Sequence, residues 1–144
     1  MTVVVRRAAG PPEVAAAIAL RAAVFVDEQG VPLEEELDGR DGEALHLVAV
    51  GDDGTVVGTC RLLTDGTTLK LGRMAVAPAA RRGGIGLRLL QLADTQAAAC
   101  GAERTVLAAQ LSALPLYERA GYTARGDVFP DAGIEHVWME KRHA

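Results

Sequence analysis

The sequence contains few aromatic residues, few cysteines and no long apolar run. Aromatics make up 3% of the 144 residues, so a core must come mainly from Val, Leu, Ile and Ala, and nucleic-acid bases would find few rings to stack on. Cys60 and Cys100 lie far apart and form no C-x-x-C pair, which argues against a disulfide framework or a zinc site. No segment approaches the ~20 apolar residues that span a bilayer, and no secretory signal opens the chain. We therefore expect a cytoplasmic protein without a membrane partner.

Length and charge narrow the class further. A chain of 144 residues suits a single domain, expected to span residues 1–144, and a hydrophobic content of 49% can supply its core. The formal net charge is -4 and the pI is about 5.3, so most of the surface would repel a phosphate backbone. Nucleic acid is therefore not an expected partner.

Hydrophobic patterning and turn signals predict seven strands and three helices in the order βαβββαβαββ. Asp52-Asp53-Gly54 joins two strand-like runs as a hairpin, and Gly101 marks the end of a long helix. Ser112 is the expected N-cap of the third helix, and the acidic segment 33–41 is expected at the surface. The helices are predicted at 11–28, 82–100 and 112–120, and the strands at 2–6, 46–50, 56–63, 67–76, 105–110, 122–129 and 134–141. The fold class is α/β, with a mixed, mostly antiparallel sheet and helices on both faces.

The segment 74–90 has the pattern of an anion-binding turn. An apolar strand ends there, a glycine-rich turn follows, and an amphipathic helix begins. The first N–H groups of a helix have no partner within the helix, and Gly83, Gly84 and Gly86 would let a diphosphate approach them closely. A phosphate-bearing cofactor is therefore expected.

Two common phosphate-binding motifs do not fit this turn. A nucleotide-hydrolysing loop needs Lys and Ser or Thr after its last glycine, whereas Gly86 is followed by Leu87 and Arg88. A dinucleotide-binding turn needs a third glycine, and position 89 is leucine. The remaining pattern is Arg81-x-x-Gly84-x-Gly86 after a Val-x-Pro strand end.

A second motif follows in the order that a known family requires. Leu116-Tyr117-Glu118 precedes Gly121-Tyr122, and the strand 105–110 lies between this motif and the glycine turn. The pair of motifs resembles the GNAT superfamily of N-acetyltransferases. Val24 to Pro32 and Ala132 to His136 have counterparts in a bacterial branch of mostly unknown substrate. The resemblance implies transfer of an acetyl group from acetyl-CoA to a primary amine of a small molecule or peptide, by direct attack in a ternary complex.

The resemblance also assigns roles to residues. Tyr117 would protonate the leaving thiolate, and a bulge in the strand before the turn would offer a backbone amide to the developing oxyanion. Gln110 would lie beside the pantetheine arm. The residues expected to bind acetyl-CoA are Met74, Ala75, Val76, Arg81, Arg82, Gly83, Gly84, Ile85, Gly86, Gln110 and Tyr117. No metal is expected.

The general base is the open point, because many relatives have glutamate where this chain has Gly72. Most acidic candidates are ordinary surface charges by default, and a lone histidine in an apolar strand is more often structural. The alternatives are Glu28, Asp38, Asp41, His46, Glu135 and His136. Without a base, the chain would be an acyl-CoA-binding sensor or scaffold. Its acceptor amine is open between a polyamine, an amino sugar, an amino acid and a protein terminus, and an exposed edge at the C-terminal strands suits a homodimer.

Overall fold

The computed structural model describes residues 2–144 and contains a seven-stranded sheet. The strands are β1 (Val4–Arg7), β2 (Leu45–Val50), β3 (Val56–Asp65), β4 (Thr68–Val76), β5 (Arg104–Gln110), β6 (Thr123–Asp131) and β7 (Ile134–Arg142). The helices are α1 (Pro11–Arg21), continued by a π-helical segment (Ala22–Glu28), then α2 (Leu33–Glu36), α3 (Ile85–Cys100) and α4 (Leu114–Arg119). Within these residues, no helix combines the length and the apolar character needed to cross a bilayer.

The strands lie in the order β1-β2-β3-β4-β5-β7-β6, and every neighbouring pair is antiparallel except β4 and β5. The predicted mixed, mostly antiparallel sheet is therefore confirmed. Strand β6 forms one edge and most of its residues are exposed. The homodimer expected at this edge stays a prediction.

Helices lie on both faces of β2, and the alternation of side chains along this strand shows how. Val48 and Val50 pack on one face in a cluster with Ala17 of α1, whereas Leu47 and Ala49 join the core under α3 on the other face. Strand β3 carries a glycine where α3 passes closest. A Cβ added at Gly58 would lie 2.8 Å from Cγ2 of Ile85, so the missing side chain sets how near α3 lies to the sheet.

Three local predictions differ from the structure. The helix expected from residue 82 begins at Ile85, because Arg82 and Gly84 have left-handed φ angles of 67° and 79° that a helix cannot include. Ser112 is not an N-cap: it lies in a short 3₁₀ turn, and α4 begins two residues later without a side-chain cap. The acidic segment 33–41 is not wholly at the surface, since Glu36 is only 2% exposed. This carboxylate forms an ion pair with the buried Arg21.

Strands β4 and β5 diverge soon after they meet. They pair at only three positions, from Thr68 opposite Arg104 to Lys70 opposite Val106. Beyond that point β4 continues to Val76 and β5 to Gln110 without pairing to each other. The sheet therefore opens as a wedge between its two central strands.

Candidate functional site

A cleft of about 760 Å³ occupies this wedge. Its walls are the diverging ends of β4 and β5, the end of the π-helical segment, helix α2 and the start of β7. Among the described strands, β4 and β5 are the one parallel pair, and such a change of strand direction is a common place for ligand binding in mixed sheets. The predicted site residues that line it include Met74, Ala75, Val76, Arg81, Gln110 and Tyr117.

The β4 wall contains the bulge that the resemblance implied. Thr59 of β3 pairs with Ala75 and Arg61 pairs with Gly72, so one residue of β3 faces two residues of β4. Arg73 lies in this bulge with a φ of 55°, a left-handed conformation that is uncommon for a residue with a side chain. The bulge turns the following backbone of β4 along the wall of the cleft.

The glycine turn carries a row of unused hydrogen-bond donors. Within residues 2–144, the backbone N–H groups of residues 82 to 87 have neither a backbone nor a side-chain acceptor. The first turn of α3 is included, and the first bond of that helix runs from Arg88 N–H to the carbonyl of Gly84. Adjacent unpaired N–H groups at the start of a long helix suit the oxygens of a diphosphate, so this turn fits the expected cofactor.

The three positions of the turn differ in how strongly the local structure requires glycine. Gly84 has a left-handed φ of 79° that favours glycine. A Cβ on Gly86 would lie 3.1 Å from Cδ2 of Leu116, so Gly86 lets α4 pack against α3. Because Tyr117 follows Leu116, this contact also sets the position of the tyrosine beside the cleft. A Cβ on Gly83 would meet only an ordinary contact, at 3.7 Å from the carbonyl oxygen of Ala80.

Arg81 is engaged by an acidic partner across the mouth of the cleft. Its two terminal nitrogens contact the carboxylate of Glu28 at 2.7 and 2.8 Å, and its Nε donates to the carbonyl of Val76 at 2.9 Å. The hydrogen bond from Arg81 lowers the pKa of Glu28, so this carboxylate stays charged and paired at neutral pH. Glu28 is therefore poorly suited to the role of base.

Tyr117 lies at the inner end of the cleft. It is 7% exposed, and its ring meets the ring of Tyr122 edge to face with centroids 6.1 Å apart. Burial raises the pKa of Tyr117 well above its usual range, so the phenol stays protonated at neutral pH. A protonated phenol can donate a proton but cannot serve as the resting base.

Gln110 forms a paired amide contact with Gln29. The amide nitrogen of Gln110 donates to Oε1 of Gln29 at 2.8 Å, which links the end of β5 to the end of the π-helical segment. Both side chains line the cleft. Gln110 precedes the 3₁₀ turn Leu111–Ala113, but its side chain makes no capping hydrogen bond there and instead forms part of the cleft wall.

His136 is the one base candidate that combines a place in the cleft with a usable nitrogen. Its Nδ1 lies 2.7 Å from the carbonyl oxygen of Ile134, and since a carbonyl only accepts, Nδ1 must carry the hydrogen. In the neutral ring Nε2 is then the acceptor, and it makes no protein hydrogen bond among residues 2–144 and is not fully buried. The ring stacks on Phe129 with centroids 6.0 Å apart.

Of the other base candidates, Glu28 and Asp38 also line the cleft but are paired with arginines, and the remaining three do not line it. His46 is 4% exposed, does not line the cleft, and contacts the backbone carbonyl of Asp41 through Nε2 at 2.9 Å. Glu135 does not line the cleft either. A hydrogen bond from Arg61 lowers the pKa of Asp38. Burial acts to raise the pKa of Asp41, but hydrogen bonds from Arg21 and Arg61 outweigh it and lower that pKa. Both carboxylates are therefore charged partners of cations. The structure thus does not bring the six candidates together.

An ion-pair network along the α2 side of the cleft was not expected from the sequence. Arg21 donates to Glu36 at 2.8 Å and to Asp41 at 2.6 Å, and the Arg21 and Glu36 side chains are each 1% exposed. Glu36 also contacts Nε of Arg73 in the bulge at 2.8 Å. Arg61 adds ion pairs with Asp38 and Asp41. The network therefore ties α1 and α2 to the bulge, and its only sequence signal was an arginine inside each of two apolar runs.

Comparisons with known proteins identify the family. The profile of the Acetyltransferase (GNAT) domain matches residues 13–143. The chain is 38% identical over 123 residues to the uncharacterized N-acetyltransferase YjcF of Bacillus subtilis, covering 85% of this chain and 87% of that protein. An acyl-CoA N-acyltransferase from Pseudomonas aeruginosa has a TM-score of 0.83 at 30% identity, covering 97% and 98%. An aminoglycoside 6'-N-acetyltransferase crystallised with coenzyme A shares the fold, with a TM-score of 0.74 at 17% identity, covering 99% and 97%. The chain belongs to the GNAT acetyltransferases and is an acetyl-CoA-dependent acyltransferase.

Proposed function

We propose that the protein transfers the acetyl group of acetyl-CoA to a primary amine of a small molecule or peptide, by direct attack in a ternary complex. The observation that carries this proposal is that His136, with a free ring nitrogen, and Tyr117, with a protonated phenol, line the same cleft. A base for the amine and an acid for the leaving thiolate are thereby available in one cleft. The acceptor and the cofactor would meet in the wedge between β4 and β5.

The chain's own backbone would hold the cofactor. The N–H groups of residues 82 to 87 would bind the diphosphate, and the part of β4 from Met74 to Val76 would run beside the pantetheine arm, opposite Gln110. Acetyl-CoA supplies an activated thioester. An N–H of the segment that follows the bulge would donate to the carbonyl oxygen as negative charge develops on it.

His136 would remove the proton that an amine carries at neutral pH. The reference pKa is about 8 for an α-amino group and about 10.4 for a lysine, so most acceptors arrive protonated. The hydrogen bond from Nδ1 to Ile134 keeps the lone pair on Nε2, the nitrogen available to the cleft. Tyr117 would return a proton to the leaving thiolate, and its raised pKa suits that direction of transfer.

Replacing His136 by asparagine tests the base. The asparagine amide can keep the hydrogen bond to Ile134 but provides no basic nitrogen. We expect kcat/KM, measured as thiol release with a primary amine, to fall about 10²–10⁴-fold, with acetyl-CoA affinity unchanged. His143→Asn is the control, because His143 does not line the cleft. Equal losses in both variants, or no loss in His136→Asn, would remove His136 from the mechanism.

Calorimetric titration of Gly83 variants with acetyl-CoA tests whether the glycine turn binds the diphosphate. This glycine tolerates a side chain, since its φ is not left-handed and a Cβ meets only an ordinary contact. We expect Gly83→Asp to weaken binding by about tenfold or more, because a carboxylate would face the diphosphate. Gly83→Asn has nearly the same shape without the charge and should bind more tightly than Gly83→Asp. Equal affinities would mean that the diphosphate lies elsewhere.

The second candidate function is an acyl-CoA-binding sensor, which Gly72 in place of a glutamate would favour. The free Nε2 of His136 argues against a sensor, because that nitrogen can accept the proton of the amine in place of the missing carboxylate. A thiol-release screen over primary amines separates the two. A sensor would bind acetyl-CoA and release no thiol with any acceptor.

A further inference from the structure

The half of the sheet formed by β5, β7 and β6 leaves one face open beside the cleft. Directly paired residues share a face, so Gln110 with His136, Ala108 with Trp138 and Val106 with Glu140 lie in successive rows. Helix α1 packs on β2, β3 and β4 rather than on these rows, and Trp138 is 45% exposed. We call this open face the groove.

The middle of the groove is apolar and aromatic. The ring of Phe129 stacks with the rings of both His136 and Trp138, with a centroid distance of 5.7 Å to Trp138. Val106 and Ala108 form the floor beside these rings, and both line the cleft. An apolar strip thus runs from His136, which we call the reactive end of the groove, toward the far end of β7.

The far end of the groove is strongly basic in a chain whose net charge is -4. Three arginines surround the carboxylate of Glu140 without close contact: Arg104 at 3.7 Å, Arg125 at 3.6 Å and Arg142 at 3.4 Å. Oε1 of Glu140 is buried and makes no hydrogen bond within residues 2–144. Lys70 lies in the same row as Val106 and Glu140. One carboxylate leaves most of the donors of these four cations unused, and the exposed Asp65 at the end of β3 does not pair with any of them.

The reactive end has the opposite charge. Glu35 and Asp131 line the cleft, and within residues 2–144 neither forms an ion pair. The remaining carboxylates of the cleft, Glu28, Glu36 and Asp38, are each paired with an arginine. The groove therefore has free negative charge where an amine would enter and free positive charge at its other end.

We propose that the groove selects a zwitterionic acceptor, whose primary amine lies at His136 and whose carboxylate or phosphate lies against Arg104 and Arg125, with an apolar body between them. This inference rests on the proposed function for the identity of the reacting group. Glu140 lies four residue steps along β7 from His136, a span of about 13 Å at the usual rise. Because Arg125 lies opposite Trp138, two residues nearer to His136 than Glu140 is, an anion held between Arg104 and Arg125 would lie about 10 Å from the amine.

The single tryptophan of the chain provides a test that does not depend on activity. Binding of a probe over Trp138 should change its fluorescence. We expect 8-aminooctanoate to bind at least about tenfold more tightly than octylamine, which lacks the anion, and than 4-aminobutanoate, which is too short. Equal affinities for 8-aminooctanoate and octylamine would overturn the proposal. So would equal affinities for 8-aminooctanoate and octanoate, because the amine would then not be recognised.

Two charge variants decide whether the basic end causes the preference. In Arg104→Gln/Arg125→Gln we expect the affinities for 8-aminooctanoate and octylamine to come within about twofold of each other. Arg7→Gln/Arg119→Gln removes the same charge outside the groove and should keep the full difference. A preference that survives in Arg104→Gln/Arg125→Gln would overturn the proposal.

Thiol release with the same amines separates this inference from the proposed function. Equal kcat/KM for octylamine and 8-aminooctanoate would leave the acetyltransferase intact and contradict the anionic subsite. The expected fluorescence difference without thiol release from any primary amine would support the zwitterion groove and contradict amine acetylation.

Discussion

A Tyr117→Phe variant is expected to bind acetyl-CoA as the wild type does and to lose about 10²–10³-fold in kcat. The phenol would protonate the leaving thiolate, and a positioned general acid is typically worth ~10²–10⁴ in rate. Phenylalanine keeps the buried ring and its edge contact with Tyr122, so the fold should be preserved. The measurement is thiol release under saturating amine, with calorimetric titration of acetyl-CoA beside it.

Tyr122→Phe is the matched control for this experiment. Tyr122 is also a buried tyrosine, at 3% exposure, but it does not line the cleft. Its loss of a hydroxyl should leave kcat within about twofold of the wild type. If both variants fall equally, the effect is one of packing, and if neither falls, the proton comes from another group.

Removing the carboxylate of Glu36 is expected to lower the free energy of unfolding by about 3–5 kcal/mol. The ion pair with Arg21 is buried on both sides. Without Glu36, three arginines of the network would face only Asp38 and Asp41, which leaves one uncompensated positive charge in the interior. Urea unfolding of Glu36→Leu measures the loss. Arg21→Met combined with Glu36→Leu should recover part of it, because apolar side chains of similar size can replace a buried pair.

An exposed pair in the same region gives the comparison. Arg40 and Glu43 are in contact at 2.5 Å but their side chains are 43% and 57% exposed. Glu43→Ala should change the free energy of unfolding by less than about 1 kcal/mol, because solvent screens exposed pairs. If Glu36→Leu costs no more than Glu43→Ala, the buried network does not hold α2 in place.

The parts of the fold that could be predicted from the sequence are those with local causes. The β2–β3 hairpin follows from Asp52-Asp53-Gly54 between two apolar runs, and the end of α3 follows from Gly101, whose φ of 71° is left-handed. The glycine turn could be predicted because its three glycines lie close together in the chain. In each case the residues that determine the conformation are neighbours in sequence.

The parts that could not be predicted depend on partners far apart in the chain. Arg21 meets Glu36 and Asp41, which lie 15 and 20 residues away, and nothing local distinguishes these charges from a solvated surface. Likewise, His136 differs from the other base candidates because β7 pairs with β5, which puts His136 opposite Gln110 in the wall of the cleft, and these two residues are far apart in the chain. The sequence contained His136 among the candidates but no reason to prefer it.

The short junction between β4 and β5 also bears on how the molecule opens in solution. Three paired positions join these strands, whereas seven join β5 to β7. Side-chain bridges across the wedge, between Gln29 and Gln110 among others, make up part of the difference. The backbone pairing between these strands is therefore short, although one hydrophobic core, which includes Leu71 of β4 and Leu107 of β5, spans both sides of it. Amide hydrogen exchange should detect local opening of this pairing before global unfolding. A cofactor bound in the wedge would touch both strands, so its binding should slow exchange at residues of this junction that it does not contact.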